Sequence, residues 1–207
     1  FCIAQGGVLI GLNIMHDSNH GSYSKSGKIN RVLSFSMDII GGSHLLWRQK
    51  HNVLHHTYTN INEMDSDLHT GGLLRLSPEQ DWRPWHRLQH LYAFPIYTLL
   101  SLSWVTYSDF SKLFSGRIGE YRLRKTSPLE MATFFLSKAS YFGYTLVLPL
   151  LFHPVLHVLI AFVGIHLLMG FTFSIIFQLA HTLEGATFPR PDTDTGSIEN
   201  EWAIHQV

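Results

Sequence analysis

The sequence is poor in cysteine and lacks the acidic motifs of several common metal sites. Cys2 is the single cysteine among 207 residues, which excludes a disulfide framework, a cysteine zinc site and a cysteine-held iron–sulfur cluster within the chain. None of the seven glutamates lies three residues before a histidine, and no His-Glu pair occurs. The Glu-x-x-His motif of soluble di-iron bundles and the His-Glu-x-x-His motif of zinc hydrolases are therefore absent.

Charge is also scarce. Charged residues make up 14% of the chain and the formal net charge is zero, so the long basic surface that nucleic acid requires is missing. Hydrophobic residues make up 45% and the mean hydropathy is +0.08, values between those of a soluble enzyme and of a multi-pass membrane protein. The length predicts one domain over 1–207. Because no initiator Met precedes the first apolar residues, we expect that domain to be truncated at both ends.

Apolar segments predict an all-α fold of membrane helices. Residues 131–152 and 155–177 are each long enough to span a bilayer and form a hairpin around His153 and Pro154, while 1–15 reads as the end of a further spanning helix. We expect 31–47 to form one helix that lies at the membrane interface or packs under the histidine site. Within the hairpin, Lys138 is expected to snorkel towards the basic end, and His166 to form a hydrogen bond between helices.

Basic residues predict the orientation of these helices. Lys25, Lys28 and Arg31 follow the first apolar segment, which indicates that its end faces the cytoplasm. If 91–107 spanned the bilayer, His181 would emerge opposite His16, so we expect 91–107 to lie at the interface. The prediction is an integral, multi-pass membrane protein with its histidines in a cytosolic helical cap.

Histidine is abundant, with 14 residues, and two clusters have metal-binding spacing. His16 and His20 lie four residues apart, as do His51 and His55, and this spacing stacks two imidazoles on one face of an α-helix. His56 should point about 100° away from His55 and reach a second ion. Imidazole donors suit zinc, iron, copper or nickel, and the excess of ligands predicts a site for two metals.

Other polar residues have weaker support. Asp65 and Asp67 follow the second cluster in a polar turn and are candidates to orient the imidazoles of the metal ligands, although a solvated turn explains them equally well. His86 and His90 repeat the four-residue spacing, but Trp, Arg and Gln surround them, so we do not predict a third site.

The histidine motifs resemble those of membrane fatty acid desaturases. His-Asp-Ser-Asn-His (16–20) is similar to the first histidine box of that family and His-Asn-Val-Leu-His-His (51–56) to the second. The neighbouring residues, with Asn13-Ile-Met before the first box and Thr57-Tyr-Thr-Asn-Ile after the second, resemble the acyl-lipid and front-end branch. The family's third box is absent and should lie downstream of residue 207.

The resemblance implies a cytosolic cap over four membrane helices and two irons that activate O2 to introduce a cis double bond into a fatty acyl chain. The implied iron ligands are His16, His20, His51, His55, His56 and His181, with His205 structural. It also implies an acyl substrate, as lipid or CoA ester, and a separate electron donor such as a ferredoxin or a haem cytochrome with its reductase.

Several alternatives remain open at this stage. A histidine-box hydroxylase, a sphingolipid desaturase or an alkane oxygenase would keep the same ligands and differ in the substrate tunnel. A zinc hydrolase would need a glutamate base beside its ligands. A membrane carrier of metal or haem should place its paired histidines in the middle of membrane helices, whereas these follow the helix ends in polar sequence.

Overall fold

Four long helical stretches build the structure. The computed structural model describes residues 1–182, 185–192 and 194–198. The first stretch comprises α1 (Cys2–Leu9), a π-helical segment (Ile10–Met15) and α2 (His16–His20); the second comprises α7 (Gln89–Ser103), a π-helical segment (Trp104–Ser108) and α8 (Asp109–Ser115). The third comprises α9 (Pro128–Phe142), a π-helical segment (Gly143–Val147) and α10 (Leu148–Leu150), and α11 (Val155–His181) is the fourth.

Shorter elements connect these stretches. Between the first and second lie α3 (Gly27–Ser34), α4 (Ser36–Ile39), α5 (His44–Arg48), a π-helical segment (Gln49–His55), α6 (His56–Tyr58) and a 3₁₀ helix (Pro84–Leu88). Between the second and third, the strands β1 (Arg117–Ile118) and β2 (Tyr121–Arg122) pair antiparallel. The all-α prediction is confirmed apart from this small hairpin.

The helix that was expected over 31–47 is interrupted. Gly41 adopts a φ of +95°, a conformation that favours glycine, and a Cβ there would clash with Val105 and Tyr141. The chain restarts as α5 after Ser43, whose hydroxyl accepts a hydrogen bond from the Leu46 amide. The expectation of one continuous helix is therefore wrong, because close packing and a new cap divide it.

The long helix α11 packs against both α1 and α7. Gly7 lies against Met169 and Gly11 against Phe173, so contacts advance in the same direction along α1 and α11 and the two helices run parallel. On another side of α11, Gly170 allows the backbone of α7 to approach at the Thr98 carbonyl. Because α1 and α11 are parallel, α2 and the end of α11 lie at the same end of the structure.

The predicted hairpin is present, and one of its helices has the properties of a membrane span. A turn over 151–154 connects α10 to α11. Within the described part of the chain, Val155–Ala180 is the one continuous helix long and apolar enough to cross a bilayer, with a mean hydropathy of 2.2. The preceding arm is helical over most of 128–150 but is divided by its π-helical segment.

Two polar residues of the hairpin are buried. His166 bonds Ser101 Oγ through Nδ1 at 2.8 Å and Tyr141 OH through Nε2 at 2.6 Å, which confirms the expected interhelical hydrogen bond. The expectation that Lys138 snorkels is wrong. Its ammonium is buried, donates to the Gly41 carbonyl at 2.7 Å and pairs with Asp109 at 2.9 Å, because α8 places a counter-charge beside it.

Candidate metal centre

Five of the predicted histidines converge at one end of the helices. The ring centroids of His16 and His20 lie 4.5 Å apart, and each lies about as close to His51, at 5.3 and 5.2 Å. His51 is also 5.3 Å from His55 and 4.7 Å from His56. Two segments more than 30 residues apart in sequence therefore supply one cluster, which we call the histidine cluster: His16, His20, His51, His55 and His56.

The second box is wound as a π-helix, and this changes which histidines share a face. A π-helix bonds residue i to residue i+5, and His51 and His56 are separated by five positions. Their Nε2 atoms lie 3.3 Å apart. The prediction that His56 lies about 100° from His55 assumed regular α-helical winding, and the π-helical winding in addition brings His56 beside His51.

Asp65 fixes the orientation of His55. Both side chains are 1% exposed, and His55 Nδ1 lies 3.1 Å from each carboxylate oxygen of Asp65. Asp65 itself accepts hydrogen bonds from the backbone amides of Asn60 at 3.0 Å and Asp67 at 2.9 Å, so the turn holds the carboxylate in place. A proton retained on Nδ1 of His55 leaves ligation to Nε2.

Asp67 was predicted to orient the imidazoles, but its carboxylate lies beside the histidine cluster itself. Its Oδ2 is 3.5 Å from His55 Nδ1, and its other oxygen pairs with the Lys50 ammonium. Burial alone would raise the pKa of Asp67, but the Lys50 charge, followed by that of His55, holds it well below its usual range. Asp67 is therefore an ionised oxygen donor beside the cluster.

Two overlapping groups of donor atoms are compact enough to hold metal ions. The groups are His16, His20 and His51, and His51, His55 and Asp67; within each, the donor atoms lie within 4.8 Å of one another. Among the described residues, these two groups of His, Cys, Asp or Glu meet that criterion. His51 belongs to both, so the geometry makes it the central residue.

The protonation of the cluster suits metal binding. Burial, followed by the charge of His16, lowers the pKa of His20 to about 4, and burial followed by His55 lowers the pKa of His51 to about 2. Both rings are therefore neutral at physiological pH, as metal ligands must be. Burial alone would lower the pKa of His55, but the Asp65 hydrogen bond and the Asp67 charge raise it.

Several side chains that contact the histidine cluster were not predicted from the sequence. Trp47 stacks on His51 with centroids 4.2 Å apart, and its position four residues earlier could have indicated this contact. Asn52 donates to the Asn19 carbonyl at 2.8 Å and so ties the two boxes together. The Oδ1 atoms of Asn19 and Asn52 are buried without a hydrogen-bond partner among the described residues, which fits a site that takes up a further donor such as bound water.

The other histidines considered in the sequence lie outside the histidine cluster or outside the described side chains. The structure describes the backbone of His181 but not its side chain, and His205 lies outside the described residues. Gln178 and Thr182 on either side of His181 line the same cavity as His51 and His55, so the end of α11 borders the cluster. His86 bonds the Gly72 carbonyl at 3.1 Å through Nε2 and accepts a hydrogen bond from the Arg83 backbone amide at Nδ1. Neither His86 nor His90 belongs to a metal-binding group among the described residues.

An apolar cavity of about 390 Å³ opens beside the cluster. Its walls include His51, His55 and the indoles of Trp47 and Trp104, and the aliphatic part is formed by Leu73, Leu74, Leu76, Ile96, Leu99 and Leu100. The volume falls within the range of small-molecule sites. The fold and the donor set together define a helical protein with a histidine cluster that could hold metal ions next to an apolar cavity.

The chain belongs to the fatty acid desaturase family, which it matches over residues 1–206. It is 39% identical over 196 residues to the sn-1 linoleoyl-lipid 6-desaturase of Synechocystis sp., covering 94% of this chain and 55% of that protein. It is 36% identical to the sn-1 linoleoyl-lipid 6-desaturase of Arthrospira platensis, covering 100% and 56%.

A third relative is the acyl-lipid (8-3)-desaturase of Physcomitrium patens, 34% identical over 96% of this chain and 42% of that protein. The chain thus spans about half the length of the curated relatives it matches. No solved structure matches it.

Proposed function

We propose that the protein is an oxygen-dependent fatty acyl desaturase that introduces a cis double bond into an acyl chain with a histidine-ligated di-iron centre. The observation that carries the proposal is the convergence of five histidines from two boxes beside an apolar cavity. Neutral imidazoles with one carboxylate suit iron. The orphaned Asn19 and Asn52 oxygens support a site built for further ligands.

The assignment of ligands follows from the two overlapping donor groups. His16, His20 and His51 would hold one ion and His51, His55 and Asp67 the other, with His56 beside His51 and His181 at the end of α11 as additional ligands. Asp65 is a positioning residue, because it holds the ring of His55 through Nδ1. Trp47 covers His51 and limits access of water.

Iron would supply the redox chemistry that cleavage of unactivated C–H bonds requires, which no side-chain acid or base can provide. The balanced reaction removes two hydrogens from adjacent methylenes and consumes O2, two electrons and two protons to give a double bond and two waters. The chain's own contribution is to hold the acyl tail along the aliphatic wall beside His51 and His55, away from bulk water.

The membrane arrangement and partners belong to the same proposal. We place α11 and the arm before it as a transmembrane hairpin, with α1 as a further spanning helix, 91–107 at the interface and the histidine cluster on the cytoplasmic face. The parallel course of α1 and α11 supports this arrangement, since it puts α2 and the end of α11 at one end. The acyl substrate comes from membrane lipid or a CoA ester, and a separate ferredoxin or haem cytochrome supplies electrons.

The first test is the metal content of the full-length gene product, purified in detergent, together with lipid analysis of cells that express it. We expect about two irons per chain and a new double bond near the carboxyl end, as the names of the relatives indicate for those proteins. The double variant His55→Ala, His56→Ala should lose both. The matched control is His86→Ala, His90→Ala, which removes an equally spaced pair outside the cluster.

The results separate the competing functions. One zinc and no iron in the parent, or equal metal in the cluster variant and the control, would overturn the di-iron assignment in favour of a hydrolase or carrier. Two irons with a hydroxylated acyl product would retain the centre and assign the related hydroxylase chemistry instead.

A further inference from the structure

The cavity beside the histidine cluster contains a cationic side chain that has no ion-pair partner in the described part of the chain. Five charged residues line it: Lys50, Asp65, Asp67, Asp109 and Lys112. Lys50 forms an ion pair with Asp67. Asp109 pairs at 2.9 Å with Lys138, which lies behind the cavity wall. Asp65 is held by His55 and by the backbone amides of Asn60 and Asp67, so each acid that lines the cavity already has a partner other than Lys112.

Lys112 remains without a counter-ion. Across residues 1–182, 185–192 and 194–198, its ammonium makes no ion pair or hydrogen bond. The side chain is half-buried and lines the cavity from α8. Burial, followed by the charge of Lys50, lowers the pKa of Lys112 to about 8, so the group is still mainly charged at neutral pH. A partly desolvated ammonium without an ion-pair partner is unfavourable.

We propose that Lys112 binds the anionic head of the acyl substrate, a carboxylate or phosphate oxygen, while the tail lies along the aliphatic wall of the cavity. This inference rests on the proposed desaturase function. It adds a residue that selects the substrate class and sets the distance from the head to the metal centre.

The placement of Lys112 has a consequence for the position of the double bond. Lys112, His51 and His55 line one cavity of about 390 Å³. A head held by Lys112 therefore places methylenes close to the carboxyl end beside the histidines, and the methyl end reaches further along Leu99 and Leu100. Bond position is then measured from the head group.

The test is ligand binding to the full-length protein in neutral detergent after chelation of metal, so that binding cannot arise from iron. Trp47 and Trp104 line the cavity and report occupancy by their fluorescence. The probes are oleate, its neutral methyl ester and oleoyl lysophosphatidylglycerol. We expect the anionic probes to bind about tenfold more tightly than the ester, the difference typical of one charge-assisted hydrogen bond.

Substitutions identify the residue responsible. Lys112→Met should reduce the affinity for anionic probes to that for the ester and leave the affinity for the ester unchanged, whereas Lys112→Arg should keep the preference. The control Arg122→Met removes an exposed cation of β2 outside the cavity and should have no effect. If Lys112→Met does not fold, Lys112→Gln removes the charge while keeping a polar side chain that can remain hydrated.

Each outcome is decisive. Equal binding of ester and anions by the parent would overturn the proposal and indicate that an acidic side chain of the protein neutralises Lys112. An anion preference that survives loss of the lysine charge would also overturn it, because another group would then bind the head. A Lys112-dependent preference for oleate identifies a free carboxylate as the head, and one for the lysolipid identifies a phosphate. Because metal is absent, failure of the desaturase function would appear in the iron and lipid measurements and not here.

Discussion

Two histidines of this protein are equally buried but have opposite surroundings. His55 and His166 are each 1% exposed. His166 bonds two hydroxyls, those of Ser101 and Tyr141, through its two ring nitrogens. His55 turns Nδ1 towards the Asp65 carboxylate and lies within 5.4 Å of the ring centroids of two further histidines. Burial alone therefore does not distinguish a structural histidine from a metal ligand.

A third buried histidine shows which difference matters. His44 bonds Asp38 at 2.5 Å, much as His55 bonds Asp65, but its ring packs on Phe35 and it belongs to neither metal-binding group of the described residues. A carboxylate partner is thus shared by a ligand candidate and a structural residue. What separates His55 from His44 is the presence of other metal-donor side chains at ligand distance. Among the described residues, His166 has neither such donors nor a carboxylate partner.

The largest effect is expected for the residue that both donor groups share. His51→Ala should remove most bound iron from the full-length protein and lower desaturation by at least about a hundredfold, because loss of a ligand exceeds the 10–100-fold cost typical of an outer residue. His44→Ala is the matched control and should keep its iron. Metal analysis and lipid composition measure both effects, and a His51→Ala protein with full iron would contradict the shared-ligand geometry.

The next prediction compares the two buried His–Asp pairs. Asp65→Asn should lower iron affinity by about 10–100-fold, because the amide no longer fixes and polarises His55, while Asp38→Asn should change it less than about threefold. Competition with a calibrated chelator measures both affinities. Equal losses would show that each carboxylate acts only through general stability, which thermal unfolding of the two variants would then reveal.

The sequence identified the histidine cluster because ligand spacing is local information. His16 and His20, and His51 and His55, were recognisable from four-residue intervals alone, and Asp65 from its polar turn. The π-helical winding of 49–55 was not predictable, because it depends on packing rather than on a motif.

Charges inside the fold were predicted poorly. Lys138 was expected to reach water. Its partner Asp109 lies 29 residues away in another helix and could not be recognised from the sequence. Lys112 was one basic residue among several after an apolar segment, and its lack of a counter-ion emerged only when the pairs around the cavity were known. Such pairings are properties of tertiary structure, and residue spacing contains no signal for them.

A smaller effect, confined to stability, is expected for the structural histidine. His166→Leu leaves the hydroxyls of Ser101 and Tyr141 without their shared partner, which should cost about 1–2 kcal/mol of unfolding free energy. Bound iron should remain as in the parent. Thermal unfolding in detergent combined with metal analysis checks the prediction, and iron loss at unchanged stability would place His166 in the metal site instead.

The smallest effect is the pH dependence of the metal-free protein. His20 and His51 have folded pKa values of about 4 and 2, whereas unfolded histidine titrates near 6.5. Below about pH 6.5 the unfolded chain therefore binds protons that these rings in the folded chain do not, and stability falls as the pH is lowered towards about 4. The raised pKa of His55 acts on stability in the opposite direction, but this effect of one ring is smaller than the combined effect of His20 and His51.

Chelated protein should accordingly unfold at least about 2 °C lower at pH 5 than at pH 7, the response expected for roughly 1 kcal/mol in a domain of this size. The variant His20→Asn, His51→Asn removes the two rings with lowered pKa and retains His55, so its unfolding temperature should be flat or rise on acidification. The variant His86→Ala, His90→Ala retains both rings and should keep the parent's slope. A parent that is more stable at pH 5 would mean that His55, and not the pair His20 and His51, controls the titration of the empty cluster.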